Sequence, residues 1–173
     1  RKSPLSFSAH FETSLKEPDF YLQHYYSNHF KWENDFSKIS LTKIEGRLEV
    51  PHLDFAVEAG YSLLNNNTYY DTLGIVRQNT TPMHVAKVAV TKNFTLGPVH
   101  LDNRALFQVS SKEDVLPLPK LALNARWYVQ FNIVRPEVMR MQIGADVSYT
   151  TKWYAPAYNP ATGQFYNQTS EKS

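Results

Sequence analysis

A strict two-residue alternation of apolar and polar side chains runs through residues 121–153 and constrains the fold of the whole chain. Every odd position from Leu121 to Ile133 is apolar, and the odd positions from Met139 to Trp153 are apolar again except for one threonine. Because successive side chains of a β-strand point to opposite faces, each segment reads as a strand with one apolar and one polar face.

The same period recurs over most of the chain, whereas helical periodicity is nearly absent. The remaining strands are predicted at about 5–12, 39–50, 53–63, 84–92 and 99–110. The alternation slips between Leu41 and Ile44, which suggests a bulge or a misplaced strand start. The sequence therefore predicts an all-β, antiparallel, up-and-down sheet of about seven strands.

Composition and motifs exclude several classes of protein. The 18 basic and 16 acidic residues nearly balance, so we expect no nucleic-acid partner. The absence of cysteine excludes a disulfide framework and cysteine-based metal sites, and no apolar run is long enough for a transmembrane helix. No hydrolase, metalloprotease or nucleotide-binding motif occurs, so we expect no enzymatic activity, no cofactor and no metal ion.

Strand length favours a transmembrane β-barrel over a soluble β-sandwich or lipocalin-like barrel. Strands of globular proteins usually have about 5–6 residues. A strand such as 121–133, at about 3.3 Å per residue and tilted by about 40°, covers the apolar band of about 25 Å that an outer-membrane barrel presents to lipid. The uncharged odd positions agree, since a charge facing the middle of a bilayer costs about 2–4 kcal/mol.

The lengths of the connections also favour the barrel. Short connections are predicted at Pro51–His52, 93–98 and 134–137, and long ones near 14–38, 64–82, 111–120 and 154–173. Because short and long connections alternate, they fall at opposite ends of the sheet, as periplasmic turns and extracellular loops do in outer-membrane barrels. Residues 1–173 are thus predicted to form a single β-barrel segment.

The barrel interpretation assigns a role to each face of the sheet. Aromatic residues near the strand ends of the apolar face, with Trp127 as a mid-strand exception, are expected at the lipid interface. They are Phe55, Tyr61, Phe107, Phe131, Tyr149 and Trp153. Charged residues of the polar face are expected to line the lumen, where they could set ion preference or form a salt-bridge lattice that stiffens the wall. They are Arg47, Glu49, Asp54, Glu58, Lys87, Arg104, Arg126, Arg140, Asp146 and Lys152.

The first long connection is rich in aromatic residues. Tyr25, Tyr26, Phe30 and Trp32 could stack sugars on an extracellular surface, or could pack this connection onto the rim of the barrel or into its lumen. The sequence leaves both interpretations open.

The segments YYSNHFKWENDF (25–36) and ARWYVQFNIVRPEVMRMQIGADVSYTTKWYAPAYNP (125–160) resemble the porins of the Bacteroidota outer membrane. Those porins are longer single-chain barrels, so the resemblance implies an internal portion of a larger barrel. It also implies a place in the outer membrane of a Gram-negative bacterium. The expected partners are outer-membrane lipid and lipopolysaccharide, the remainder of the same barrel, and possible further outer-membrane proteins. Under this resemblance, Asp71-Thr72-Leu73 matches a short O-glycosylation pattern, with Thr72 as acceptor.

Three functions follow from these observations. The first is a porin-like barrel that allows or gates passive diffusion of small polar solutes. The second is a non-conducting barrel scaffold in an outer-membrane complex. The third, from a different class, is a soluble glycan-binding β-sandwich.

Overall fold

A computed structural model describes residues 5–134 and 139–173 and shows an all-β chain. Its long strands are β1 (Ser6–Lys16), β4 (Ile39–Val50), β5 (Phe55–Asn65), β8 (Met83–Leu96), β9 (Val99–Ser110), β10 (Leu121–Val134) and β11 (Met139–Thr150). Short hairpins are formed by β2 (His24–Tyr26) with β3 (Lys31–Glu33), β6 (Asn67–Tyr70) with β7 (Val76–Asn79), and β12 (Ala157–Asn159) with β13 (Gln164–Tyr166). A helical turn, α1 (Phe20–Gln23), precedes β2, and a 3₁₀ turn, Pro51–Leu53, joins β4 to β5.

The long strands form one antiparallel sheet in the order β1-β4-β5-β8-β9-β10-β11, so each pairs with its neighbour along the chain. This up-and-down order confirms the predicted fold, a segment of an antiparallel transmembrane β-barrel whose sheet is open at β1 and β11. The described residues contain no second large sheet stacked on the first, as a β-sandwich would have. Most of the predicted turn at 134–137 lies outside the described residues.

The slip in alternation near Leu41 is not a bulge. The pairing of β4 is continuous from Ile39 to Glu49 with β1, and from Ser40 to Val50 with β5. Leu41 lies opposite Leu64, which in turn lies opposite Met83, and the Met83 side chain is fully buried. At the end nearer the long connections, the otherwise polar face therefore carries apolar side chains, and these are buried or half-buried. A register shift occurs instead between Asn132 and Val134 in the β10–β11 pair.

Several predicted boundaries move. β1 extends to Lys16 and β8 to Leu96, so the tight turn that follows β8 consists only of Gly97 and Pro98, with Gly97 at φ +60°. The long connections accordingly run at 17–38, 66–82, 111–120 and 151–173.

Three predicted site residues lie outside the strands to which the sequence assigned them. Asp54 ends the 3₁₀ turn in the left-handed conformation, at φ 48°, and so belongs to a short turn rather than to the wall. Lys152 and Trp153 follow the end of β11 at Thr150. β11 ends there because the Thr151 hydroxyl accepts the Leu121 N–H and donates back to the Leu121 carbonyl. The Trp153 backbone then pairs with Ser173.

The apolar face of the sheet is open rather than packed. Trp127 is 53 % exposed, Ile143 59 % and Val147 56 %, whereas few apolar side chains among the described residues are buried. Such a face is unfavourable in water and favourable against lipid. Among the described residues, no helix is long and apolar enough to cross a bilayer.

Replacing Val88 with arginine tests the orientation of this face. Val88 lies near the middle of β8 on the apolar face and is 43 % exposed. In a barrel refolded into lipid vesicles, Val88→Arg should lower the free energy of unfolding by about 2–4 kcal/mol, because the charge would enter the bilayer. Urea titration measures the change. Val88→Leu, the matched control, should be nearly neutral, and equal stability of both variants would contradict a lipid-facing position.

Candidate functional site

The polar face of the sheet carries a chain of ion pairs that crosses four neighbouring strands. Arg47 on β4 lies 2.6 Å from Glu58 on β5 and 3.3 Å from Glu49 on its own strand. Arg104 on β9 reaches the same Glu58 carboxylate at 3.3 Å. To do so it reaches diagonally over β8, where Thr91 lies opposite Arg104 and the small residue Ala89 lies opposite Glu58. These side chains therefore form one alternating network along the wall.

A second ion-pair group lies one step further along the strands. Glu45 on β4 pairs with Lys43 at 2.8 Å and with Lys87 of β8, although β5 lies between them. The residue between them in the ladder is Gly60, opposite Glu45 on one side and Lys87 on the other. A Cβ at Gly60 would lie 2.7 Å from Lys87 Cε and 3.3 Å from Glu45 Cγ. The missing side chain thus provides the path along which Lys87 crosses the strand.

The β10–β11 pair continues the polar face with directly opposed partners. Arg126 donates to Asp146 at 2.8 Å, and Gln142 donates to Gln130 at 2.7 Å. Arg140 lies exposed opposite Asn132. On these two strands, Arg126 and Gln142 therefore each bond a single partner on the opposite strand, and the contacts do not form an extended network.

An aromatic pair lies on the same face between β9 and β10. The Tyr128 ring stacks on His100 with centroids 4.7 Å apart and planes 9° apart. Opposite Tyr128 is Gly144, where a Cβ would lie 2.4 Å from the Trp127 carbonyl oxygen, so the close approach of the two strands requires glycine.

Sequence reasoning assigned Arg47, Glu49, Glu58 and Lys87 to the polar face but missed what joins them. The role of Gly60 depends on which residues lie opposite it, and alternation alone does not reveal this register. A glycine at a polar-face position between charged strands is the only signal that could have pointed to it.

The predicted aromatic residues divide between the strands and the connections. Phe55, Tyr61, Phe107, Phe131 and Tyr149 lie in strands on the apolar face, and Tyr61 hydrogen-bonds His84 at 2.6 Å near the long-connection end. The mid-strand Trp127 has a specific partner, because its indole N–H donates to the Asn103 side-chain oxygen at 3.1 Å.

The first long connection is packed by its own aromatic residues. Trp32 is only 7 % exposed, stacks on Tyr25 with centroids 4.6 Å apart, and donates its indole N–H to the Tyr21 carbonyl at 3.0 Å. Phe30 meets Trp32 edge-on, with centroids 6.3 Å apart. Tyr26 is 61 % exposed, and its hydrogen bond to Glu33 raises the pKa of its phenol. Packing thus accounts for Tyr25, Phe30 and Trp32, whereas Tyr26 remains at the surface.

The other long connections bind one another. The Asn167 side chain donates to the carbonyls of Asp114 at 2.7 Å and Val115 at 3.0 Å, and its backbone N–H donates to Tyr70. The Tyr25 hydroxyl donates to Ala161 at 3.3 Å, which adds the first connection to the group. We call these joined connections the cap.

Thr72 is exposed at the tip of the β6–β7 hairpin, within the cap. The neighbouring Asp71 carboxylate accepts the N–H groups of Leu73 at 2.9 Å and Ile75 at 3.0 Å, and pairs with Arg77. Burial alone would raise the pKa of Asp71, but the guanidinium and the two N–H groups outweigh it and hold that pKa below its usual range. Asp71 therefore has a structural role in the turn, whether or not Thr72 is modified.

Within residues 5–134 and 139–173, no group of three or more His, Cys, Asp or Glu side chains is arranged to hold a metal ion. The chemistry on the polar face is that of paired charges and amides.

The fold fits a class of protein, the antiparallel β-barrels, of which this open sheet with one charged and one apolar face forms a segment. The model of a family described as "Putative porin" matches residues 2–173, and the chain belongs to this family. A search of curated proteins gives no match.

Gly60→Ala tests the crossing of β5 by Lys87. The added methyl group would displace the lysine stem, so we expect a loss of about 1 kcal/mol in the free energy of unfolding, measured by urea titration in vesicles. Gly46→Ala is the matched control, since Gly46 lies beside Ala59 on the apolar face and its Cβ would meet nothing closer than 3.9 Å. In a Lys87→Ala background the cost of Gly60→Ala should disappear, and an unchanged cost would refute the crossing.

Asp71→Asn tests the turn of the β6–β7 hairpin. The folded state lowers the pKa of Asp71. The stabilisation that the ionised carboxylate gives to the turn is therefore complete above the ordinary carboxyl pKa and is lost as pH falls through the lowered value. Hydrogen exchange at Leu73 and Ile75 should be slower in the unmodified chain than in the variant at neutral pH, by about tenfold. The ratio should approach one in acid. Asp35→Asn, at an exposed position in the first connection, should leave these two amides unchanged at every pH.

Proposed function

We propose that this chain forms part of the wall of an outer-membrane porin that lets small polar solutes diffuse passively through a charged lumen. The family assignment supports a porin-like role in general terms. We further infer that the protein lies in a bacterial outer membrane, that its lumen is open, and that it catalyses no reaction. These inferences are supported by the geometry of the sheet.

The observation that carries the proposal is the separation of the two faces. The ion pairs that join Arg47, Glu58 and Arg104 lie on one face, while large apolar side chains such as Ile44 and Phe107 stand exposed on the other. A sheet with this division is stable where one side meets lipid and the other meets water. Outer-membrane lipid and lipopolysaccharide would therefore cover the apolar face.

Pairing of charges suggests what the lumen accepts. Glu45 is shared by Lys43 and Lys87, and Glu58 is shared by Arg47 and Arg104, so cations and anions alternate along the wall. Such a wall presents hydrogen-bonding groups to polar solutes while opposing fields partly cancel. We infer broad passage of small polar solutes with weak ion selectivity.

The cap is the part of the molecule that would control access. It occupies the end of the sheet where the long connections meet, and its hairpins are joined through Asn167 and Tyr25. A cap held together in this way can narrow an entrance. It also gives specific support to the alternative, a closed barrel that serves as a scaffold in an outer-membrane complex.

Conductance in planar bilayers separates the two functions. The complete barrel that contains this chain, refolded and inserted, should show discrete ion-conducting steps, whereas a closed trace at all voltages would eliminate the pore and leave the scaffold. Asp146→Asn should shift the reversal potential in a salt gradient toward anion preference, because Arg126 loses its partner at 2.8 Å. Ser148→Asn, an uncharged change on the same face and strand, should leave the reversal potential unchanged.

A further inference from the structure

The apolar face contains a groove of about 300 Å³ between β8, β9 and β10. Its floor consists of Ala105 and Ala125, which are small, and its sides include Val90 and Leu123. Val90, Ala105 and Leu123 lie level with one another across the three strands. Lys92 and Asn103 lie at one end, and Arg104 and Asn124 also border the groove. The side chains of Arg104 and Asn124 bond Glu58 and Ser148 on the polar face, so the rest of the lining is mainly hydrocarbon and suits an extended alkyl chain.

The end of the groove nearer the short turns carries a lysine. Lys92 stands on the apolar face opposite Phe55, and its ammonium lies 4.8 Å from the centre of the Phe94 ring and contacts the Leu53 carbonyl. No carboxylate among the described residues pairs with it within 4.0 Å. A cation on a lipid-facing surface without an acidic partner calls for an anion from outside the protein.

The neighbouring polar residue, Asn103, already has hydrogen-bond partners within the sheet. Asn103 lies beside Lys92 in the ladder, donates its amide to the carbonyls of Leu101 at 3.2 Å and Lys92 at 3.4 Å, and accepts the Trp127 N–H. Its hydrogen bonds are satisfied within the sheet, so Lys92 is left as the group that can attract a charged ligand. Trp127, 53 % exposed, borders the same level of the sheet.

We propose that the groove binds a glycerophospholipid of the leaflet at the short-turn end, with the phosphate on Lys92 and one acyl chain over Ala105 and Ala125. The level of the site agrees with this occupant. Lys92 is directly opposite Phe55 and next but one to Phe94, at the aromatic band where headgroups meet the acyl region. Lysine stems lie along apolar surface while the ammonium reaches the headgroups, and this arrangement matches the path of Lys92 toward Leu53.

The inference rests on the proposed membrane location but not on an open lumen. A second barrel could also cover an apolar groove, but it would need to present an anion at Lys92. A phospholipid supplies the anion and the alkyl chain in one molecule, at the depth where both are needed.

Lipid titration followed by native mass spectrometry tests the site. The complete barrel that contains this chain, in detergent micelles, is titrated with dioleoylphosphatidylglycerol and, separately, with dioleoylglycerol, which lacks the phosphate. Lys92→Gln should weaken phosphatidylglycerol binding about fivefold or more and leave dioleoylglycerol unchanged. Lys172→Gln is the matched control, since Lys172 also lies over an aromatic ring, Tyr154 at 4.9 Å, but beyond the opposite end of the sheet.

Filling the groove supplies a test that does not depend on Lys92. Ala125→Leu should weaken binding of both lipids, because the added branch occupies the floor. Unchanged phosphatidylglycerol binding in Lys92→Gln, or an equal effect in Lys172→Gln, would overturn the proposal. Conductance measured on the same preparations keeps the two proposals apart. Lys92-dependent lipid binding in a non-conducting barrel supports the lipid site and refutes only the pore.

Discussion

The backbone hydrogen-bond ladder across the seven long strands is the constraint on which the rest of the structure depends. In lipid, backbone N–H and C=O groups find no water, so they must bond within the sheet. The ladder meets this need from β1 to β11 and places side chains alternately on two faces. Because one face can then meet lipid, the fold does not require a large buried core. Ile143 and Val147 stay exposed, and Met83 is the largest fully buried side chain among the described residues.

Both the paired charges of the polar face and the structure of the long connections follow from that ladder. Adjacent strands about 4.8 Å apart let long side chains span two strands when the residue between them is small, as Gly60 is between Glu45 and Lys87. The charges of the polar face are thereby paired across strands. Beyond the long-connection end the chain no longer has a ladder partner on every side. There it buries apolar side chains of its own, among them Trp32, Val76 and Val115.

Much of the fold could be predicted because alternation is a local property. The seven long strands, their antiparallel order and the two ends with short and long connections all followed from residue spacing. The misses have physical causes. The apparent slip at Leu41 arose because the polar face becomes apolar beneath the connections, near Met83. Lys152 and Trp153 continue the alternation, but Thr151 bonds Leu121 and ends the strand first.

By itself, the sequence determined which side chains share a face, since a period of two leaves one solution for each strand. Only the tertiary structure decided which residues on that face meet, because partners come from different strands and depend on register. Register brings Arg104 to Glu58, opens the path over Gly60, and sets Lys92 beside a groove floored by Ala105 and Ala125. Those contacts join residues tens of positions apart, and no local pattern contains them.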